Sequence, residues 1–219
     1  MRKRRFGIPV NDLLGRVWDL FMLNWLFILC SLPVLTAGAA LTALHHVALQ
    51  IVREDDTYLA REFFRAFRRE WKQSTLLWLP MLLAAAVLLA DQILLLPAFT
   101  GALRAALFAA TVFFEVFWLV LLVYAFPMLA RYANPLRQTV KNALLVAVWQ
   151  FPQTILCAAL YLALPLTYAF YVPAQPAVMI LYLIGGFSVP VLLADTVLNR
   201  VFRRVIPGEQ EFQSERGQS

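Results

Sequence analysis

The chain has 219 residues, 62% of them hydrophobic and only 15% charged, with a formal net charge of +6 and a mean hydropathy of +0.70. A soluble domain of this length carries about a quarter of its residues as charged groups, so this composition excludes one. The apolar runs are continuous rather than alternating, which excludes a β-barrel and predicts an all-α, polytopic transmembrane helix bundle.

Residues 1–17, "MRKRRFGIPVNDLLGRV", form a basic segment expected on the cytoplasmic side. The apolar stretch that follows is too long for a signal-peptide core and has no clear cleavage site, so it reads as a retained anchor. Residues 18–200 read as one transmembrane domain, beginning with the largely apolar 35-residue stretch 18–52. As one helix these would measure about 52 Å, too long for one crossing and slightly short for two. "SLPVLTAG" supplies the break, because Pro33 and Gly38 are poor inside helices and good in turns. A tight hairpin of two short helices is expected, while a re-entrant hairpin satisfies the same charge pattern and stays open. Gly38, Ala39, Thr42 and Ala43 recur at helical spacing and allow close backbone approach. Thr36, Thr42, His45, His46 and Gln50 give the second helix more polar groups than lipid tolerates on all sides.

Next comes "TYLAREFFRAFRREWK", residues 57–72. Leu59, Phe63, Phe67 and Trp71 are spaced by four, and Arg61, Arg65, Arg68, Arg69 and Lys72 occupy the rest of the wheel. Glu54, Asp55 and Asp56 precede it, where a helix N-terminus favours negative charge. The pattern predicts an amphipathic helix lying on an anionic cytoplasmic leaflet, aromatic side down, with the cations meeting lipid headgroups or a docking partner. Nucleic-acid binding is not expected, because the aromatics are needed as the buried side.

Four further spans are expected at Ser74–Leu96, Leu103–Met128, Asn142–Tyr168 and Ala177–Leu198, which with the hairpin makes six crossings. Pro80, Pro127, Pro152, Pro165 and Pro190 are expected at kinks or ends. Eighteen of the 19 lysines and arginines fall in the four segments 2–16, 53–72, 131–141 and 200–216. The positive-inside rule puts all four, and with them both termini, in the cytoplasm of a cell-membrane protein. Residues 201–219 read as a polar, partly disordered tail.

Three carboxylates lie within spans, where they usually face the bundle interior and pair. Glu115 is mid-span, with Arg104 its nearest basic residue in sequence, and is the candidate to carry a proton. Asp91 is expected to pair with Arg104, and Asp195 with Arg200 at the interface. His45 and His46 point about 100° apart on a helix, so a helix–helix hydrogen bond or an interfacial position is expected of them rather than a metal site. Cys30 and Cys157 read as packing residues. No metalloprotease, nucleophile-elbow, P-loop or dinucleotide motif occurs, and no catalytic constellation is legible. Neither enzymatic activity nor a cofactor is expected.

The segment from Asn24 to Pro80, "NWLFILCSLPVLTAGAALTALHHVALQIVREDDTYLAREFFRAFRREWKQSTLLWLP", resembles the YesL-like family of bacterial integral membrane proteins, a domain of unknown function (624). The likeness rests on the Asn near the first span, the "SLPVLTAGAALTAL" turn, the "VRED" step and the "FFRAFRREWKQST" helix. In "ALHHVAL" the chain departs from a more usual aromatic. The resemblance implies a protein of this size and span number, and many such members lie beside genes for carbohydrate permeases, sugar-binding proteins and glycoside hydrolases. That context implies an accessory or regulatory component of carbohydrate uptake, with sugar-permease subunits as partners. An independent small-solute transporter, proton-coupled through an intramembrane carboxylate, is the alternative.

Overall fold

The computed structural model describes residues 10–53, 58–132 and 134–205. Among them there are helices and no strands. The helices are α1 (Val10–Ser31), α2 (Ala37–Arg53), α3 (Leu59–Ala90), α4 (Gly101–Arg131), α5 (Leu136–Trp149), α6 (Phe151–Phe170), α7 (Gln175–Ile184) and α8 (Ser188–Val205). The chain is a helical-bundle membrane protein: among the described residues four helical segments are long and apolar enough to cross a bilayer, and α7 with α8, bent by 66°, adds a fifth when the pair is counted as one broken span. The expected six would add α1, which starts at Val10, well before the apolar run.

α1 and α2 form a helical hairpin turned at "SLPVLT", as Pro33 and the following 3₁₀ turn, Val34–Thr36, dictate. Thr36 tightens the corner: its hydroxyl lies 2.7 Å from the Cys30 carbonyl at the end of α1 and 2.8 Å from that of Pro33. α2 is the central helix, with 61% of its most apolar stretch buried, against 6–17% for the three longer candidate spans. Its small residues account for this. Ala39, Ala40, Thr42 and Ala43 are wholly enclosed, and a side chain added at Gly38 would lie 2.9 Å from the Ser74 carbonyl and collide with Trp78. Thr42 and Ser74 hydroxyls meet at 2.8 Å, and the Trp78 indole donates to the Val34 carbonyl at 2.8 Å.

These contacts set the register of the hairpin against α3. The turn sits beside Trp78, midway along a helical segment that runs from Leu59 to Ala98.

The structure corrects three expected boundaries. Residues 57–72 do not form a separate helix lying flat: from Leu59 onward they are the first turns of α3, continuous with the span, since no Gly or Pro interrupts before Pro80. Part of their aromatic face is turned to protein, while Phe64 and Trp71 are exposed. Phe63 is fully buried and joins Leu44, Val47, Ala48, Leu23 and Ala66 in one core, with Phe67 packed against it. Thr57 and the acidic residues Glu54–Asp56 lie outside the described residues.

The expected span 142–168 is split at Gln150, whose φ of −114° and ψ of 44° leave the helix. Phe151 precedes a proline and Pro152 lacks the N–H that would continue α5. Thr154 locks the joint, accepting from Tyr124 at 2.8 Å and reaching the Ala147 and Gln150 carbonyls at 2.9 and 3.0 Å. The expected span 177–198 breaks at Gly185–Phe187, where an added side chain at Gly186 would collide with the Tyr182 backbone. The tail differs too, because α8 remains helical through Val205; residues 206–219 lie outside the described set.

Candidate functional site

His45 (α2), Asp195 (α8) and Tyr161 (α6) form one hydrogen-bonded chain across three helices. His45 and Asp195 are completely buried. The His45 Nδ1 atom lies 3.0 Å from both carboxylate oxygens of Asp195, and its Nε2 lies 3.1 Å from the Tyr161 hydroxyl. A carboxylate can only accept, so Nδ1 carries a hydrogen, and in the neutral imidazole Nε2 is then the acceptor for the Tyr161 O–H. Asp195 therefore pairs with an imidazole 150 residues earlier in the chain, not with Arg200 as expected. Burial explains the choice: at this position a carboxylate facing solvent has no room, and His45 is the donor enclosed with it. Beside the chain, Arg131 Nη1 donates to Asn199 at 3.0 Å. His46, on the next face of α2, lies 3.1 Å from the Ala130 carbonyl and 3.4 Å from Gln50. The two histidines thus bind different helices, and among the described residues no cluster of three metal-ligating side chains occurs.

The other two intramembrane carboxylates lie elsewhere, between α3 and α4. Asp91 accepts from the Thr111 hydroxyl rather than from Arg104, which is exposed. Glu115 accepts from the Gln92 amide. The site gathers Asp195 and His45, and leaves Asp91 and Glu115 apart.

A second constellation holds the α7–α8 break. The Asn24 side chain, fully buried on α1, donates to the Tyr182 and Leu183 carbonyls at 2.8 and 3.1 Å and accepts from the Phe187 and Ser188 amides at 3.0 and 3.3 Å. One amide thus satisfies the carbonyl end of one half-helix and the N–H end of the next, groups that lipid cannot satisfy.

Between the break and the polar chain lies a cavity of about 340 Å³, lined by residues including Leu44, Trp78, Trp118, Tyr161, Tyr182 and Phe187. Trp118 donates to the Met81 carbonyl at 2.7 Å, so both tryptophans present ring surface to it with their N–H groups engaged. Larger apolar hollows lie between α4 and α6, about 1020 Å³, and beside Glu115, about 480 Å³. Sequence reasoning missed Tyr161 and the Asn24 bridge. No local pattern marks Tyr161, while the adjacent Gly185 and Gly186 inside an apolar run were a legible breaker.

The cations of α3 are all exposed: Arg61, Arg65, Arg68, Arg69 and Lys72, with Phe64 and Trp71 among them. Arg65 pairs with Glu62, and Arg69 with Glu70 at 2.6 Å.

Residues 20–92 match the family described as "Protein of unknown function, DUF624", the family that the sequence resemblance named. No curated protein and no solved structure matches the chain.

Proposed function

We propose that this chain, a DUF624 protein over residues 20–92, is an accessory or regulatory component of a carbohydrate uptake system in the cell membrane, with the basic half of α3 as its docking face. The observation that carries the reading is that Phe63 and Phe67 of α3 pack in one core with α2, while Arg61, Arg65, Arg68, Arg69 and Lys72 are exposed on the same helix. A sugar carrier needs many polar groups around its substrate, since each unpaired buried hydroxyl costs about 1–3 kcal/mol. The three hollows described above are walled almost wholly by apolar side chains. This favours a helper over a carrier.

The test is purification of the tagged protein from native membranes in mild detergent, with bound proteins identified by mass spectrometry. Sugar-permease subunits should accompany the wild type in near-stoichiometric amount. The triple variant Arg65→Gln, Arg68→Gln, Arg69→Gln should retain about tenfold less, three surface charges each contributing up to ~1 kcal/mol. The second reading, a proton-coupled carrier, draws support from the dry Asp195–His45 pair. Recovery of the protein alone, with solute-dependent proton flux in reconstituted vesicles, would replace the first reading with it.

We further propose a sidedness. The C-terminal ends of α2, α4 and α8 meet through His46–Ala130 and Arg131–Asn199, and the basic start of α3 packs beside α2. The positive-inside rule assigns that end, and both termini, to the cytoplasm. Beyond Trp78 the helical segment continues for 20 residues to Ala98, so the hairpin tip stops far short of that segment's end. The turn itself is apolar and uncovered, with Leu32 70%, Val34 55% and Leu35 57% exposed. The α1–α2 hairpin therefore dips into the membrane from the cytoplasmic side and returns, leaving four full crossings. In a background without Cys30 and Cys157, Thr100→Cys should react with an impermeant maleimide from outside and Leu35→Cys should not. Equal labelling of both would establish two full crossings instead.

A further inference from the structure

We infer that the cavity between the hairpin tip and the α7–α8 break is a binding site for a small, membrane-soluble molecule with an apolar body and one hydrogen-bond donor, read by Tyr161. Tyr161 is the residue that belongs both to the cavity wall and to the polar chain. With a neutral imidazole bound to Asp195 through Nδ1–H, His45 Nε2 accepts the Tyr161 O–H, so the phenolic oxygen keeps lone pairs and has no further hydrogen to give. The complement to such an oxygen is a donor. Of the other lining residues, Trp78 and Trp118 offer ring faces, because they direct their N–H groups to backbone carbonyls, and Tyr182 carries the one further hydroxyl.

At about 340 Å³ the space falls within the usual range for ligand pockets, about 300–1,000 Å³, and is roughly twice the ~150 Å³ that encloses a benzene ring. These features select an alcohol or phenol of modest size and reject a sugar, whose other hydroxyls would be buried unpaired. The site needs no uptake partner, so it stands or falls apart from the docking proposal.

Bromine quenches tryptophan fluorescence on contact, and Trp78 and Trp118 line the cavity. Full-length protein in lipid nanodiscs, with Trp18, Trp25, Trp71 and Trp149 replaced by Phe, is titrated with bromohexanol and with bromohexane. Quenching by bromohexanol should saturate, with an apparent affinity roughly threefold to tenfold above that of bromohexane, the contribution of one neutral hydrogen bond. Tyr161→Phe should erase the preference for the alcohol. Leu41→Trp, which narrows the cavity from α2, should weaken the saturable quenching by bromohexanol. Quenching that rises in proportion to membrane-dissolved probe for both compounds would overturn the site, as would an alcohol preference that survives in Tyr161→Phe.

Discussion

Replacing His45 with leucine is expected to destabilise the folded bundle by about 3 kcal/mol, among the larger single-residue effects this protein can show. The change leaves the Asp195 carboxylate enclosed with no donor from α2, and removing one partner of a buried pair costs about 3–5 kcal/mol. The lower end of that range applies, because Arg131 and Asn199 lie at the same end of the bundle and because a membrane protein's unfolded state also finds partners. The double variant His45→Leu, Asp195→Leu should recover most of the loss, since two apolar groups of similar size replace a charge that no longer needs a partner. Thermal unfolding in detergent of the two single variants and the double measures the coupling. A double variant no more stable than His45→Leu alone would show that the carboxylate has another essential partner.

Asn24→Leu is expected to destabilise by about 2–4 kcal/mol and to loosen one place in particular. Four backbone groups lose their partner at once, the Tyr182 and Leu183 carbonyls and the Phe187 and Ser188 amides, and each unmet buried group costs about 1–3 kcal/mol before relaxation. Asn24→Asp separates the two ends of the break: a carboxylate still accepts from the amides but faces the two carbonyls with oxygen. It should fall between wild type and leucine. Amide hydrogen exchange will locate the effect, with protection lost across residues 180–192 and retained in α3 and α4. Uniform loss of protection would mean that Asn24 supports the fold generally rather than this joint.

Much of the fold was legible because lipid imposes one-dimensional rules. Run length gave the helical bundle, and Pro33 gave the corner between α1 and α2, whereas Gly38, expected in the turn, lies inside α2 against Trp78. The cost of polar groups in lipid marked α2 as a helix packed on several sides, which its enclosed alanines bear out. What stayed hidden depended on a partner distant in the chain. The face of Leu59, Phe63 and Phe67 suits a membrane surface and a neighbouring helix equally, and the register of α2 decides between them. The break at Gln150 was half visible in Pro152, but the hydroxyl pair that secures it comes from Tyr124 and Thr154, 30 residues apart. Among the intramembrane carboxylates, depth in the span made Glu115 the prime candidate. Asp195 is the one of the three that is fully enclosed by protein, which only packing shows.

On the topology proposed above, the hairpin that stops beside Trp78 gives the molecule unequal cross-sections in the two leaflets. The cytoplasmic half holds α1, α2, α5, α8 and the basic end of α3, whereas the far half holds the later turns of α3, the start of α4, the end of α6 and α7. Such a wedge spreads one monolayer more than the other, so the bundle should rest most easily where the membrane bows with its cytoplasmic leaflet on the convex side.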